Sequence, residues 1–229
     1  MNKLLIPVVV VLTSGGVGTV SAAKGDTSIS VGYAQIHSNG LKSFMNKNFR
    51  LNNEMRKEME NLINNNGQAD ADIDRYQNLN GFNIKYRYEF DESWGVIGSF
   101  TYAWGDFDSN YHLSRSPDAY YSAKGRIKSK YLSVMAGPAY RFNGYASLYG
   151  MIGVANNQIK SSYSWNDHGY YADVLSQENG DENKNKTNVA YSIGLQTNPF
   201  KNIVIDLAYE GAAGGLSSNG FTLGVGYSF

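Results

Sequence analysis

Four cations alternate along Ala123–Lys130 (AKGRIKSK): Lys124, Arg126, Lys128 and Lys130. In an extended chain alternate side chains share a face, so the four form one basic row. Such a row suits a polyanion, either lipopolysaccharide phosphates or sulfated host glycans, through charge pairing and counterion release. It equally suits a solvated strand extension whose charges discourage edge pairing. A second set of charges, Lys85, Arg87, Glu89, Arg141, Asp206 and Glu210, sits at alternate positions inside otherwise apolar or aromatic segments. Three are cationic and three anionic, so the set can neutralise itself. The three histidines, His37, His112 and His168, fall in or beside polar connecting segments with many serines nearby. A Ser/His/acid inventory therefore exists. No nucleophile elbow, metal-ligand spacing or paired-carboxylate spacing accompanies it, and His112 and Asp118 in YHLSRSPD read as polar loop residues.

These charges need an element that positions them, and Gly81–Phe90 (GFNIKYRYEF) supplies the pattern. Phe82, Ile84, Tyr86, Tyr88 and Phe90 take one face of an extended chain; Asn83, Lys85, Arg87 and Glu89 take the other. Similar alternation recurs at 27–35, 94–104, 131–142, 189–196, 203–210 and 220–229, and less clearly at 145–156, where glycines blur the outward face. That makes about eight strands, an even count suited to a small barrel with apolar residues outside and polar ones inside. The reading is an all-β, eight-stranded antiparallel up-and-down transmembrane β-barrel. An interior of that size is only wide enough for side chains to fill. The inward charges then read as a buried network closing the lumen, with Glu89 and Arg141 toward the periplasmic end, Arg87 and Asp206 at mid-depth, and Lys85 and Glu210 higher.

The chain ends agree with export. Lys3 precedes a short apolar core, Leu4–Leu12, and small residues end in Ser21-Ala22-Ala23. This reads as a signal peptide spanning residues 1–23, cleaved after Ala23 or Ala22, and too short to cross a bilayer as a helix. The 229-residue chain has no Cys and a formal net charge of +0. Disulfide and thiolate chemistry are thus excluded, and a nucleic-acid partner is not indicated. No Gly-rich phosphate loop is present; no cofactor or metal is expected, and the chain is expected to be a monomer.

Connection lengths alternate. Asp91–Ser93, Asn143-Gly144 and Asn198–Asn202 read as tight turns, whereas about 37–80, 105–129, 157–188 and 211–219 read as long polar loops. Short turns on one side and long loops on the other is the bacterial barrel layout, which places the long loops outside the cell. Within the first, Leu51, Met55, Met59, Leu62 and Ile63 recur at helical spacing, stopped by the Asn64–Gly67 run.

VGYAQ (31–35), GFNIKYRYE (81–89), WGVIGSFTY (94–102), AGPAYR (136–141), SLYG (147–150), NPFKNIVIDLAYE (198–210) and GVGYSF (224–229) together resemble the OmpX/Ail/PagC/Lom family of enterobacterial outer-membrane proteins. The resemblance covers the strands and turns and nearly none of the long loops. It departs in a much longer first loop and in a terminal Tyr-Ser-Phe where an Arg commonly precedes the Phe. Phe229 still fits the C-terminal aromatic of the barrel-assembly signal. The resemblance implies an eight-stranded barrel at the bacterial outer membrane and, in several members, adhesion to host cells or matrix, serum resistance or intracellular survival. Host surface, matrix or complement-regulatory proteins are then candidate partners, alongside outer-membrane lipid and lipopolysaccharide. A mainly structural envelope barrel is the alternative, and a lipid A-modifying enzyme a third.

Overall fold

A computed structural model describes residues 25–48, 53–170, 176–200 and 202–229. The signal segment 1–23 and Leu51 of the expected helix lie outside the described residues. Strands β1 (Thr27–Ser38), β3 (Leu79–Glu89), β4 (Trp94–Ser116), β5 (Ala119–Asn143), β6 (Ala146–His168), β7 (Ser176–Phe200), β8 (Ile203–Ala213) and β9 (Ser218–Ser228) form a closed antiparallel ring. Each pairs with its chain neighbours, and β1 closes the ring by pairing with both β3 and β9. Closure leaves no open sheet edge at membrane depth, the arrangement that lets a sheet pair its backbone groups within lipid.

Alternation sorts the two faces. Tyr86 is 51% exposed while its neighbours Lys85 and Arg87 are 2% and 3% exposed. Outward aromatic and aliphatic side chains belt the barrel on all eight strands, from Ile29 and Val31 to Val225 and Tyr227. A sheet with its apolar face outside and its charges inside inverts a soluble fold and fits only a lipid solvent. The ambiguous segment 145–156 is resolved by Leu148, Ile152 and Val154, which point out, and by Tyr149 and Met151, which are buried inside.

The long connections differ from the sequence expectation. Segments 105–129 and 157–188 continue the ladders: β4 and β5 stay paired up to Ser116↔Ala119, and β6 and β7 up to Asp167↔Ser176. Their outer face is polar, but Phe107, Leu113, Ile127 and Ile159 are buried on the other face and let the ladders continue, so polarity alone did not mean loop. The first connection folds into helices α1 (Asn39–Asn48) and α2 (Asn53–Asn64) and a further strand β2 (Gln68–Ile73), which pairs with β4 outside the ring. The Ser38 hydroxyl accepts the Leu41 amide at 3.2 Å and caps α1. Leu41, Phe44 and Met45 of α1 then bury into the barrel mouth against Ile36, Leu79 and Phe107. Helix α2 matches the expected amphipathic segment. Asn66 at φ 62° ends it, and the Gly67 amide returns 2.8 Å to the Leu62 carbonyl in a Schellman closure.

Candidate functional site

Inside the barrel the charges fall into three groups. Low in the lumen, Glu89 Oε1 lies 2.6 Å from Arg87 Nη2 and 2.8 Å from Arg141 Nη2. Arg87 Nη1 also donates to Gln196 Oε1 at 3.0 Å. Arg87 Nε, Arg141 Nε and Glu89 Oε2 are buried without a hydrogen-bond partner among the described residues. They border a cavity of about 10 Å³, a space sized for one water molecule. At mid-depth Lys85 Nζ pairs with Asp206 and donates to Thr222 Oγ1 at 2.9 Å, and the Tyr149 hydroxyl donates to Asp206 Oδ2 at 2.9 Å. Among the described residues Glu210 has no cation within ion-pair distance. It accepts instead from Thr101 Oγ1 at 2.8 Å and Ser133 Oγ at 3.3 Å.

Glu89 and Arg141, both expected toward the periplasmic end, are in contact. Arg87 and Asp206, expected at one depth, form no ion pair with each other among the described residues, and neither do Lys85 and Glu210, expected above them. Arg87 joins Glu89, and Lys85 takes Asp206. Strands tilt and stagger when a sheet closes, so residues level by chain count are offset in space. Sequence reasoning also missed Tyr149. Its ring is directed inward, and Gly194 across the ladder makes room for it: a Cβ there would sit 2.3 Å from the ring. Parity could have found it, since Tyr149 shares a face with Ser147 and Met151.

Outside the lumen the basic row lies on β5. Lys124, Arg126, Lys128 and Lys130 are all exposed on the outer face, above the aromatic belt that ends at Trp104. They are not alone there. Strand β4 sets Asp106 opposite Lys128 and Asp108 opposite Arg126, and Asp108 Oδ1 holds Arg126 Nε at 2.6 Å. Lys160 on β6 pairs with Lys128 and adds a cation.

The three histidines separate. His37 Nδ1 lies 3.0 Å from Asn78 Oδ1 and 3.1 Å from the Tyr76 hydroxyl, at the hinge between β1 and the lid helix α1. Burial pushes the Tyr76 phenol above its ordinary range, against the Ser38 amide that donates to it. His112 stands in register with Asp70 on β2 and Ser122 on β5. No hydrogen bond joins these three, so the nucleophile–base contact of acyl-transfer sites is not made. His168 lies across from Tyr120 at a ring separation of 5.4 Å, and Asp118 occupies the β4–β5 turn. The described residues hold no group of three or more His, Cys, Asp or Glu placed to bind a metal.

Residues 57–229 match the family described as Enterobacterial Ail/Lom protein. The attachment invasion locus protein of Yersinia pseudotuberculosis is 34% identical over 100% of this chain and 98% of its own length. Virulence membrane protein PagC of Salmonella typhimurium is 36% identical over 71% of this chain and 84% of its own. Among solved structures, Ail of Yersinia pestis in complex with the heparin analogue sucrose octasulfate superposes with a TM-score of 0.55. It is 32% identical, covering 90% of this chain and 100% of that one. Whole-length identity, the closed ring and the lipid-facing belt agree: the chain belongs to the Enterobacterial Ail/Lom family and is an integral β-barrel protein of the bacterial outer membrane.

Proposed function

We propose that the protein is a virulence-associated binding protein of the cell surface. It contacts host cells or matrix, or confers serum resistance, through the structures above the barrel, and has no enzymatic role. The observation that carries this reading is the division of the molecule: a lumen filled by mutually neutralising side chains, and an exposed, charged platform above the membrane. A closed, charge-filled interior offers no transport path, so function moves to the platform. The kinship with proteins named for attachment and virulence supports the same division.

The polyanion contact is assigned to Lys124, Lys128 and Lys130, with Arg126 contributing least because Asp108 already holds it. Lys160 extends the row toward β6. Support comes from the relative whose structure contains sucrose octasulfate, a compact analogue of the sulfated glycans such a row would meet. Two experiments test this. Expression in a non-adherent, serum-sensitive strain should raise adhesion or serum survival; no gain in either returns the protein to a structural envelope role. Reversing Lys124, Lys128 and Lys130 to Glu should weaken binding of the purified protein to heparin and lipopolysaccharide, and unchanged affinity removes the row from the function. Lipid A mass spectrometry with and without expression separates the enzymatic alternative, which predicts an altered lipid A.

A further inference from the structure

Above the aromatic belt the outer sheet face carries charge in two columns rather than one. Climbing from Trp104↔Lys130, successive rungs are Asp106↔Lys128, Asp108↔Arg126 and Asn110↔Lys124. Strand β2 continues the acidic side, setting Asp72 beside Asn110 and Asp70 beside His112, while Asp74 accepts the Asp108 amide at 2.8 Å. Lys160 widens the basic side at the Lys128 rung. Five carboxylates therefore stand to one side of the β4–β5 seam and five cations to the other. Asp181 on β7 is the acidic residue beyond the basic column, opposite Ser162. Within the face only Asp108 and Arg126 close to ion-pair distance among the described residues. The other charges remain exposed and available to a partner. A groove of about 410 Å³ lies over Lys124 and Arg126 between Asp108 and Asp181.

Symmetry selects the partner. Two copies inserted the same way in one membrane are related by a twofold axis along the membrane normal. That rotation brings the outer face against itself with left and right exchanged and every height preserved. The acidic side of one copy then meets the basic side of the other, bringing Asp106 and Asp108 toward Lys128 and Arg126. Copies in opposing membranes are related by an axis in the membrane plane. That operation keeps left and right and places acid on acid. We propose that this face is a self-association surface pairing two copies of the chain side by side in one membrane. The pairing departs from the monomer expected from the sequence, and because it uses Lys128 and Arg126 of the basic row it competes with a polyanion for that row. Confinement to one plane and orientation favours it further, because a weak multivalent contact gains from high effective concentration.

The absence of native cysteine makes the test direct. Asp72→Cys and Ser164→Cys proteins, each one strand further from the seam than Asn110 and Lys124, are reconstituted separately and together in liposomes at low density. They are then treated with a maleimide cross-linker spanning about 10 Å, the spacing of stacked sheets. The mixed sample should cross-link more than either alone, since Asp72 of one copy faces Ser164 of the other while like positions are set several strand widths apart. In the same cysteine backgrounds, Asp106→Lys/Asp108→Lys should abolish the product, as should Arg126→Glu/Lys128→Glu. Mixing the acid-reversed with the base-reversed protein should restore it, because a copy cationic in both columns then faces one anionic in both. Each reversed protein mixed with wild type should keep only half of its complementary rungs, and reversing both columns in one chain should restore the product. A heat-dependent gel shift in each variant separates loss of pairing from loss of folding. Equal yields in all samples, or yields indifferent to both reversals, overturn the proposal. Cross-linking only between two vesicle populations overturns the in-plane arrangement.

Discussion

The side chains that matter most for folding are those whose charge cannot reach water. Lys85 and Asp206 are 2% and 1% exposed and depend on each other. Asp206→Asn should therefore cost about 3–5 kcal/mol, because it leaves an uncompensated buried ammonium. Replacing both partners by Met and Leu should cost less, and unfolding midpoints in urea after liposome reconstitution read the difference. Equal losses for the single and double variants would show that charge compensation is not what the pair provides. Gly194 is a second sensitive point, since any Cβ there meets the Tyr149 ring and lies 2.8 Å from the Ala208 Cβ. Gly194→Ala should destabilise by about 1–3 kcal/mol through overpacking, measured the same way.

Helix α1 is held by the barrel mouth, whereas α2 is held by local closures. Helix α2 ends at Asn66 with φ 62°, a conformation that glycine adopts freely and β-branched residues resist. Asn66→Gly should leave α2 intact, and Asn66→Val should speed amide exchange across Asn53–Asn64 while the barrel amides stay protected. Among the described residues the β4–β5 hairpin above the Asp106 rung pairs with itself, with β2 and the adjoining Asp74, and with β6. Deleting 108–126 and closing with a short turn should preserve the heat-dependent gel shift of a folded barrel. Loss of that shift would mean that the hairpin contributes to closure. Segment 105–129 shows where sequence reading stopped short. Its alternation was visible in the basic row, but nothing in a polar segment of the chain says whether a ladder partner exists at that height.

For the whole molecule, the neutralised lumen and the lid helix α1 with its buried Leu41, Phe44 and Met45 act as two successive seals. Liposomes containing the purified protein should show no steady flux of small solutes above protein-free controls. Sustained flux would sink the plugged-lumen reading and reopen a transport role. The barrel, its lipid face and the identity of the inward charges were legible because a period of two leaves each strand only two faces, and lipid accepts one of them. Lys85, Arg87, Glu89, Arg141, Asp206 and Glu210 could be chosen on that ground alone.

By itself, then, the sequence determined which residues face lipid and which face inward, since alternation is a local property of the extended chain. Tertiary structure decided who meets whom. The stagger of a closed sheet gave Asp206 to Lys85 and left Glu210 to hydroxyl donors, and neither could be read from counting along strands. Strand pairing also set Asp106 and Asp108 beside the basic row, turning an apparent polyanion stripe into two opposed columns. Contacts between residues far apart in the chain depend on register and shear, which are set only when the ring closes.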